Sequence, residues 1–414
     1  MIDCGVRITY LTQYFRTPTM SGGTRAYQFA RRLVAEGHDV TVVSGAPPED
    51  AGPPEAAITD EAGVTVHWLP VHYDNRLGHR QRLLAFGRFA AAATLRARRI
   101  PTDLVFATST PLTIAAPAIR AKRRWQVPMV LEIRDLWPQL PIDFGALRSP
   151  TATRAAYALE TWAYQHADQI IGLTPGIADS ITARFPDTPV HVIPNGTDVD
   201  LFADADIAGA DLRARERWLG DRPVLLYAGT IGQANGVDYL VDVAAALATK
   251  TPEVCVVAVG TGNRIDAVRD KARDVGVLDK NFFLPGPVSK ADVVGWFGAS
   301  AMTASTLAEL PSLQGSAPNK VFDSLAASRP VAATYGGWLT DLLVTEGAGL
   351  LMDPADPAAA ARSIGALLRN PDRLRKAQQA AWRVGELRFR RDDLFKEFHD
   401  VLLSAAERPI SLLD

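Results

Sequence analysis

The residues best suited to chemistry form one short segment, SAPNKVFDSLAASRP at 316–330. Pro318 suits the first turn of a helix, because its missing N–H removes no hydrogen bond there. Free backbone N–H groups at such a helix start, that of Asn319 included, attract phosphate, and Lys320 adds a full positive charge in the same turn. Asp323, three positions later, can accept hydrogen bonds from ribose hydroxyls. The alternative for the segment alone is a surface helix with an ordinary Lys/Asp pair.

Glycine turns follow three apolar runs in the second half of the chain. Glycine lets backbone amides approach a phosphate closely, so such turns are candidates for ligand contacts. Each turn alone is also typical of an ordinary chain reversal. The candidate residues are Gly229 in YAGTIG, Gly260 and Gly262 in GTG, and Gly286 and Val288 in PGPV.

The first half of the chain contributes a charged strand end and a small loop. Arg134 and Asp135 come directly after an apolar run, where an α/β sheet carries its functional groups. Arg134 can hold a donor phosphate or orient an acceptor, with Asp135 fixing it; the alternative is a purely structural Arg/Asp pair. Ser21, Gly22 and Gly23 can approach a sugar or diphosphate through backbone amides, or can form a flexible turn without contacts.

Short apolar runs alternate with amphipathic helical patterns along the whole chain, which predicts parallel βα units. A polar, Asp-rich connection at 195–222 separates two such series. We therefore expect an α/β fold with two Rossmann-like domains that face a central cleft, at 1–195 and 196–387, and a C-terminal helix at 388–414 that returns to the first domain. Strands are predicted at 6–11, 40–43, 64–69, 104–107, 130–133, 169–173 and 190–193, then at 224–227, 254–259, 282–284, 301–304, 331–333 and 349–351.

Composition narrows the class of protein. Hydrophobic residues make up 47% of the 414 residues and charged residues 22%, which is typical of a globular chain. The net charge is -2, which gives no reason to expect a nucleic-acid partner. No secretory signal and no run long enough to span a membrane is evident, and the two cysteines are far apart, so we expect a cytoplasmic protein without disulfides. None of the seven histidines has a metal-ligand spacing, so we expect no metal or other cofactor.

The ordered set of motifs resembles the family 4 glycosyltransferases, which have the GT-B fold. More narrowly, it resembles the bacterial subgroup of amino-sugar transferases in O-antigen and capsule assembly. The matching segments, in chain order, are YLTQYF at 10–15, GG at 22–23, EIRDLWP at 132–138, GLTPG at 172–176, IPNG at 193–196, YAGT at 227–230, VGTG at 259–262 and the segment 316–330 with VAATYGGW after it.

The resemblance implies a retaining, metal-independent enzyme that transfers a hexose or N-acetylhexosamine from a nucleotide diphosphate sugar to a hydroxyl acceptor. The expected nucleotide is UDP. Lys320, Arg134 and Asp135 are then the catalytic candidates. The chain departs from the family at several positions. Thr230 and Asn235 are neutral where relatives carry Arg and Lys, and Arg134 stands where many carry His. The first acid of the family's acid pair falls at Gly315, with Glu309 a weak substitute.

A basic stretch at 76–124 contains eleven Lys or Arg residues and a single acid, Asp103, with leucines and phenylalanines between them. Such a region can lie on an anionic membrane, at the inner face of the cell membrane, although a charge run is more often a solvated face. The preferred acceptor is therefore a hydroxyl of a lipid-linked or cell-surface glycan precursor in polysaccharide biosynthesis. Alternatives are a soluble metabolite as acceptor, a nucleotide-sugar epimerase, or a binding subunit without catalysis.

Overall fold

The computed structural model describes residues 5–20, 22–46, 57–73 and 78–407, without the side chains of His79 and Arg80. By its contacts the chain divides into two compact units. Unit 1 consists of Met1–Thr17, Gly23–Pro194 and Asp392–Asp414, and unit 2 of Pro18–Gly22 and Asn195–Arg391. Within the described ranges no helix is both long and apolar enough to cross a bilayer.

Unit 1 is a βα sheet whose described strands run in the order β3-β4-β2-β1-β5-β6-β7-β8, and its pairings are parallel except for the β3–β4 pair. Its elements are β1 Arg7–Thr12, α1 Arg25–Ala35, β2 Asp39–Gly45, β3 Ile58–Glu61, β4 Val64–Leu69, α2 His79–Ala97, β5 Leu104–Thr108, α3 Ala115–Trp125, β6 Met129–Ile133, α4 Gln139–Asp143, α5 Pro150–His166, β7 Gln169–Gly172, α6 Pro175–Thr182 and β8 Val190–Val192.

Unit 2 is a smaller sheet of the same kind, with its described strands all parallel in the order β11-β10-β9-β12-β13-β14. Its elements are α7 Ala205–Arg215, β9 Val224–Ala228, α8 Asp238–Lys250, β10 Cys255–Val259, α9 Ile265–Asp274, β11 Phe282–Gly286, α10 Val293–Ala299, β12 Met302–Ser305, α11 Asn319–Ala326, β13 Val331–Ala333, α12 Trp338–Thr345, β14 Gly349–Leu351, α13 Pro357–Leu368 and α14 Pro371–Arg388.

The central strands are almost wholly apolar because helices cover both faces of each sheet. Every residue of β5, β6 and β10 is buried. In both sheets the strand order reverses beside the first strand of the series, β1 in unit 1 and β9 in unit 2, which is the switch point where such folds bind ligands. The predicted fold class, two Rossmann-like α/β domains, is confirmed.

The last helix, α15 Arg391–Ala406, packs on unit 1 almost from its first residue. Phe398 is fully buried, with its ring centroid 4.5 Å from that of Phe29 and 4.9 Å from that of Phe106. The burial of these aromatic rings holds α15 against α1 and β5. The last part of the expected returning segment, 408–414, lies outside the described residues.

Candidate functional site

Three turns of unit 2 lie side by side at the carboxyl ends of β9, β10 and β11. The Gly229 amide donates to the Val259 carbonyl and the Gly260 amide to the Gly286 carbonyl, both at 2.9 Å. A Cβ atom on Gly260 would lie only 1.9 Å from the Gly229 carbonyl oxygen, so only glycine fits without displacing the neighbouring turn. The structure therefore brings Gly229, Gly260 and Gly286 together into one rim, as a nucleotide site at a strand edge requires.

The other turn candidates extend this rim. Ile231 donates its amide to the Thr261 carbonyl at 2.9 Å, and a Cβ on Gly262 would lie 2.4 Å from the Ile231 oxygen. Val288 follows the third turn and is half-buried against the core beneath it. The glycine positions are thus explained by turn-to-turn packing, which leaves backbone atoms at the edge where a ligand can meet them.

Lys320 reaches this rim from α11. Its Nζ donates to the Tyr227 hydroxyl at 2.8 Å and lies 4.0 Å from the Tyr227 ring centroid. A Cβ on Gly229 would be 3.2 Å from Lys320 Cε and 3.5 Å from Nζ. Burial lowers the pKa of Lys320 to about 7, and none of the described carboxylates offsets that effect. The site therefore contains an ammonium group beside a glycine turn without a protein counterion.

Helix α11 is anchored so that its first turn is held at the strand ends. Pro318 is the N-cap residue, and Asn319 is the first helical residue. One turn later the Ser324 hydroxyl donates a hydrogen bond to the Lys320 carbonyl at 2.6 Å. It accepts a hydrogen bond from the Thr303 hydroxyl of β12 at 2.8 Å. Val321, Phe322 and Leu325 are buried in a cluster with α12 and α14. This packing fixes where the free amides of the helix start point.

Asp323 forms an ion pair that the sequence analysis does not predict. Its Oδ1 lies 2.5 Å from Lys290 Nζ, and the two side chains are only 14% and 9% exposed. Lys290 also lies over the Phe202 ring, 5.6 Å from its centroid. The alternative interpretation, an ordinary Lys320–Asp323 surface pair, is not seen, since each residue has another partner. Asp323 keeps a second carboxylate oxygen with which it can accept a ribose hydroxyl.

Thr230 and Asn235, the two neutral positions, occupy the loop that follows β9. The Thr230 carbonyl accepts from the Tyr227 hydroxyl at 2.7 Å, and the residue is exposed. The Asn235 carbonyl accepts from Thr306 Oγ1 at 2.6 Å, which ties the loop to the end of β12. Neither side chain is charged, so these two positions give the loop no cation of its own.

The backbone conformation at Gly315 explains why this position, where the family has the first residue of its acid pair, holds a glycine. Gly315 has φ +77, a conformation that residues other than glycine rarely adopt. A Cβ on Gly337 would lie 2.4 Å from Gly315 Cα, so the two turns touch directly. Next to them is a cavity of about 720 Å³ lined by Glu309, Gln314, Thr334, Gly336 and Asp353 together with apolar neighbours. Glu309 is exposed and lines this cavity.

Unit 1 contains a buried ion pair at the strand ends. Arg25 and Glu132 have side chains 1% exposed, and Glu132 Oε1 accepts from Arg25 Nε at 2.9 Å and from Nη2 at 2.8 Å. Glu132 Oε2 accepts from Thr108 at 2.6 Å, and Arg25 also donates to the Ile193 and Pro194 carbonyls. The pair joins α1, β5, β6 and the end of β8, so its role in the described structure is to hold this edge together.

Arg134 and Asp135, the catalytic candidates of unit 1, follow β6 directly. The Arg134 amide donates to Ser109 Oγ at 3.0 Å, and its side chain is half-buried. Asp135 is exposed and accepts from Thr110 Oγ1 at 2.8 Å. Among the described residues no ion pair joins Arg134 to Asp135. The expected contact, in which Asp135 fixes Arg134, is therefore not seen.

The small loop before α1 is described only in part. Ser21 lies outside the described residues. Gly22 and Gly23 are exposed, and Gly22 has φ +121. No cluster of three or more His, Cys, Asp or Glu side chains that could hold a metal ion occurs within the described ranges.

Sequence analysis missed three residues that shape these sites: Tyr227, Lys290 and Arg25. Tyr227 stood out only as the first residue of the YAGT segment, and no feature of the sequence singles out Lys290. Arg25 begins a helix, where a basic residue gives no signal of a buried pair. Each meets its partner over a long separation, 93 residues for Tyr227 and Lys320 and 107 for Arg25 and Glu132.

Comparison with family models gives two matches. Residues 22–196 match a glycosyl transferase 4-like domain. Residues 222–370 match the glycosyl transferases group 1 model. The two matches together cover most of the chain, and they fall on unit 1 and unit 2 in turn.

Two curated relatives carry the same name, D-inositol 3-phosphate glycosyltransferase. The one from Xylanimonas cellulosilytica is 32% identical over 228 residues, 53% of this chain and 52% of the relative. The one from Acidothermus cellulolyticus is 30% identical over 380 residues, 84% of this chain and 78% of the relative. The first match thus spans about half of that relative's length, whereas the second spans more than three quarters.

Solved structures show the same fold at low sequence identity. A sucrose-phosphate synthase from Thermosynechococcus elongatus has a TM-score of 0.75 at 18% identity, covering 96% of this chain and 98% of its own. Anabaena HepE, solved in complex with UDP and glucose, has a TM-score of 0.71 at 18% identity, covering 96% and 100%.

Proposed function

Because this chain belongs to the GT-B glycosyltransferases that join a glycosyl transferase 4-like domain to a glycosyl transferases group 1 domain, we propose that it transfers a sugar from a UDP-linked donor to a hydroxyl acceptor, with retention of the anomeric configuration. A glycosyltransferase activity with a nucleotide sugar follows from the family. The choice of UDP is supported by a structural neighbour that was solved with UDP and glucose.

The observation that carries the donor site is the ammonium group of Lys320. A half-buried cation without a counterion is costly, and it becomes favourable when an anion supplies the missing charge. The first turn of α11 adds free backbone amides beside Lys320, and the Gly229 turn lies against the Lys320 side chain, which suits a pyrophosphate. The leaving nucleotide diphosphate would be stabilised there as the bond to the sugar breaks, by groups that are already oriented.

The remaining site residues have supporting roles in this proposal. Asp323, held by Lys290, accepts ribose hydroxyls, and the turns at Gly260 and Gly286 meet the base. In unit 1, Arg134 and Asp135 orient the acceptor at the end of β6. The reaction as proposed needs charge stabilisation and orientation from the chain's own residues, and it assigns no step to a metal ion.

For the acceptor we propose a lipid-linked glycan precursor, supported by the surface of α2 and α3. Leu84 and Leu95 of α2 are 55% and 63% exposed, and Arg88 follows Leu84 by one helical turn. Arg98 and Arg99 are exposed in the turn after α2. Exposed leucines close to exposed arginines suit an anionic bilayer surface. The narrower membership among O-antigen and capsule amino-sugar transferases rests on motifs alone. The names of the two relatives instead favour a second candidate, a small phosphorylated inositol.

Product analysis tests the reaction. The purified chain is incubated with UDP-glucose or UDP-N-acetylglucosamine, without acceptor, with an inositol phosphate, and with an extracted lipid-linked acceptor in vesicles. We expect UDP release with at least one donor, increased by the correct acceptor and accompanied by a glycosylated product. The anomeric proton coupling of that product reports retention or inversion. An isomerised sugar without UDP would show an epimerase, and nucleotide binding without either product would show a binding subunit; both results would refute a transferase.

Vesicle co-sedimentation tests the membrane surface. The triple variant Arg88→Gln/Arg98→Gln/Arg99→Gln is expected to bind phosphatidylserine vesicles about 100-fold more weakly than the unmodified chain, at about 1 kcal/mol per arginine. The matched control Arg373→Gln/Lys376→Gln/Arg383→Gln removes the same charge from exposed positions on α14 and should bind as the unmodified chain does. Equal binding by all three proteins would discard the membrane proposal.

A further inference from the structure

The hydroxyl group of Tyr227 makes two hydrogen bonds, and each has a fixed direction. Its single proton goes to the Thr230 carbonyl oxygen at 2.7 Å, and its oxygen accepts from Lys320 Nζ at 2.8 Å. Burial raises the pKa of Tyr227 above its ordinary value, so the phenol stays protonated and can donate at any neutral pH. One hydroxyl therefore links the turn after β9 to the first turn of α11.

The polar side chains of the described residues near Lys320, other than Tyr227, are bonded to other groups. Asp323, on the same helix, is paired with Lys290 from the loop after β11. Tyr335, which follows β13, bonds Ser305 of β12 at 2.8 Å, and burial raises its pKa as well. The contribution of α14 to the packing of α11 is apolar, through Ala380, Ala381 and Val384.

The position of the ammonium group matters because the loop after β9 has no charge of its own. Thr230 and Asn235 are neutral, so a cation must reach that loop from elsewhere in the fold. A long lysine side chain has several rotamers of similar energy, and holding it in one position lowers the entropy that is lost when an anion binds. The face of the Tyr227 ring attracts an ammonium group without fixing its exact position, whereas the hydrogen bond to the hydroxyl holds Lys320 Nζ at one point.

We propose that Tyr227 is a positioning residue for the donor pyrophosphate: its hydroxyl holds Lys320 Nζ beside Gly229 and at the same time fixes the Thr230 peptide, so that the ammonium group and the turn are presented together. This inference rests on the proposed function, because it assumes that Lys320 binds the pyrophosphate. Lys320, held by the Tyr227 hydroxyl, supplies one cation to a loop whose own residues carry none.

The experiment is isothermal titration of the full chain with UDP-glucose between pH 6 and pH 9. UDP-glucose is the probe because its pyrophosphate carries no terminal phosphate that titrates near pH 6. In the unmodified chain the affinity should be constant below pH 7 and should fall above it, since free Lys320, with a pKa of about 7, then loses the proton that the anion requires. Tyr227→Phe keeps the ring and removes only the hydroxyl group.

Without that hydroxyl the charged form of Lys320 loses a hydrogen bond, so its pKa should fall further. We expect the decline in affinity to begin about one pH unit lower in Tyr227→Phe, and the affinity at pH 8 to be about tenfold weaker. Tyr335→Phe is the matched control. It removes a second buried hydroxyl from the same sheet, one bonded to Ser305, and should keep the pH profile of the unmodified chain.

The outcomes separate the two claims. If Lys320→Met weakens binding and flattens the profile, but Tyr227→Phe has the profile of the unmodified chain, the positioning role is wrong and the donor site stands. If the unmodified chain does not bind UDP-glucose, or Lys320→Met binds it equally well at every pH, the proposed function falls and this inference falls with it. A loss of thermal stability in Tyr227→Phe without a shift of the profile would show a packing role only and overturn the inference.

Discussion

Lys320→Met is expected to lower kcat about 100- to 1,000-fold, because removal of one preorganised group that stabilises developing charge typically has an effect of that size. Methionine keeps an unbranched apolar stem of similar volume and removes the ammonium group. The measurement is UDP release under saturating UDP-sugar, with kcat and KM determined separately. Lys280→Ala, at an exposed lysine outside the strand-end rim, is the control and should retain full activity.

The same substitution should make the unliganded chain more stable. Burial holds the pKa of Lys320 at about 7, below the ordinary 10.5, so the folded state binds fewer protons than the unfolded state between these values. The contribution of Lys320 to stability therefore rises with pH from 7 to 10.5, and it is most unfavourable below pH 7. Thermal unfolding of Lys320→Met should show a higher Tm below pH 7 and should lack this rise. A variant with lower Tm and full activity would contradict the assignment of Lys320.

Glu132→Ala should have the largest effect on stability, lowering the free energy of unfolding of unit 1 by about 3–5 kcal/mol. The substitution leaves the guanidinium group of Arg25 buried without its carboxylate, and it also removes the acceptor for Thr108. The effect should be local. Urea unfolding combined with hydrogen exchange should therefore show lost protection in β5, β6 and β8.

Two further variants make this prediction specific. Asp103→Ala breaks an exposed pair with Arg7, whose side chains are 44% and 50% exposed, and should cost about 0–1 kcal/mol. The double variant Arg25→Met/Glu132→Leu replaces both buried charges by apolar groups and should recover most of the lost stability. If Glu132→Ala costs no more than Asp103→Ala, the buried pair is not what holds this edge of the sheet.

Much of the fold was predictable because its signals are local. Apolar runs bounded by turn residues mark parallel strands wherever helices cover both faces, and the strands around β5, β6 and β10 were found in this way. The exception is β3 Ile58–Glu61, an edge strand whose sequence ITDE has no apolar run. It pairs with β4 in antiparallel register, with Ile58 opposite His67, and no local sequence pattern indicates this pairing.

The candidate site was predictable in part for the same reason. Lys320 could be placed at a helix start because Pro318 and the apolar spacing after it are local features. The partners of Lys320 and Asp323 could not be predicted, since Tyr227 is 93 residues from Lys320 and the Lys290–Asp323 pair depends on the packing of the loop after β11 against α11. Gly315 is similar. Its replacement of an expected acid is explained by a positive φ and by contact with Gly337, which appear only in three dimensions.

The most direct test of the donor site is an experimental structure of the chain with a bound UDP-sugar. We expect a pyrophosphate oxygen at hydrogen-bond distance from Lys320 Nζ, about 2.7–2.9 Å, with the Gly229 turn and the first turn of α11 on either side. A pyrophosphate bound elsewhere, with Lys320 still donating to Tyr227 and the start of α11 in contact only with water, would contradict it.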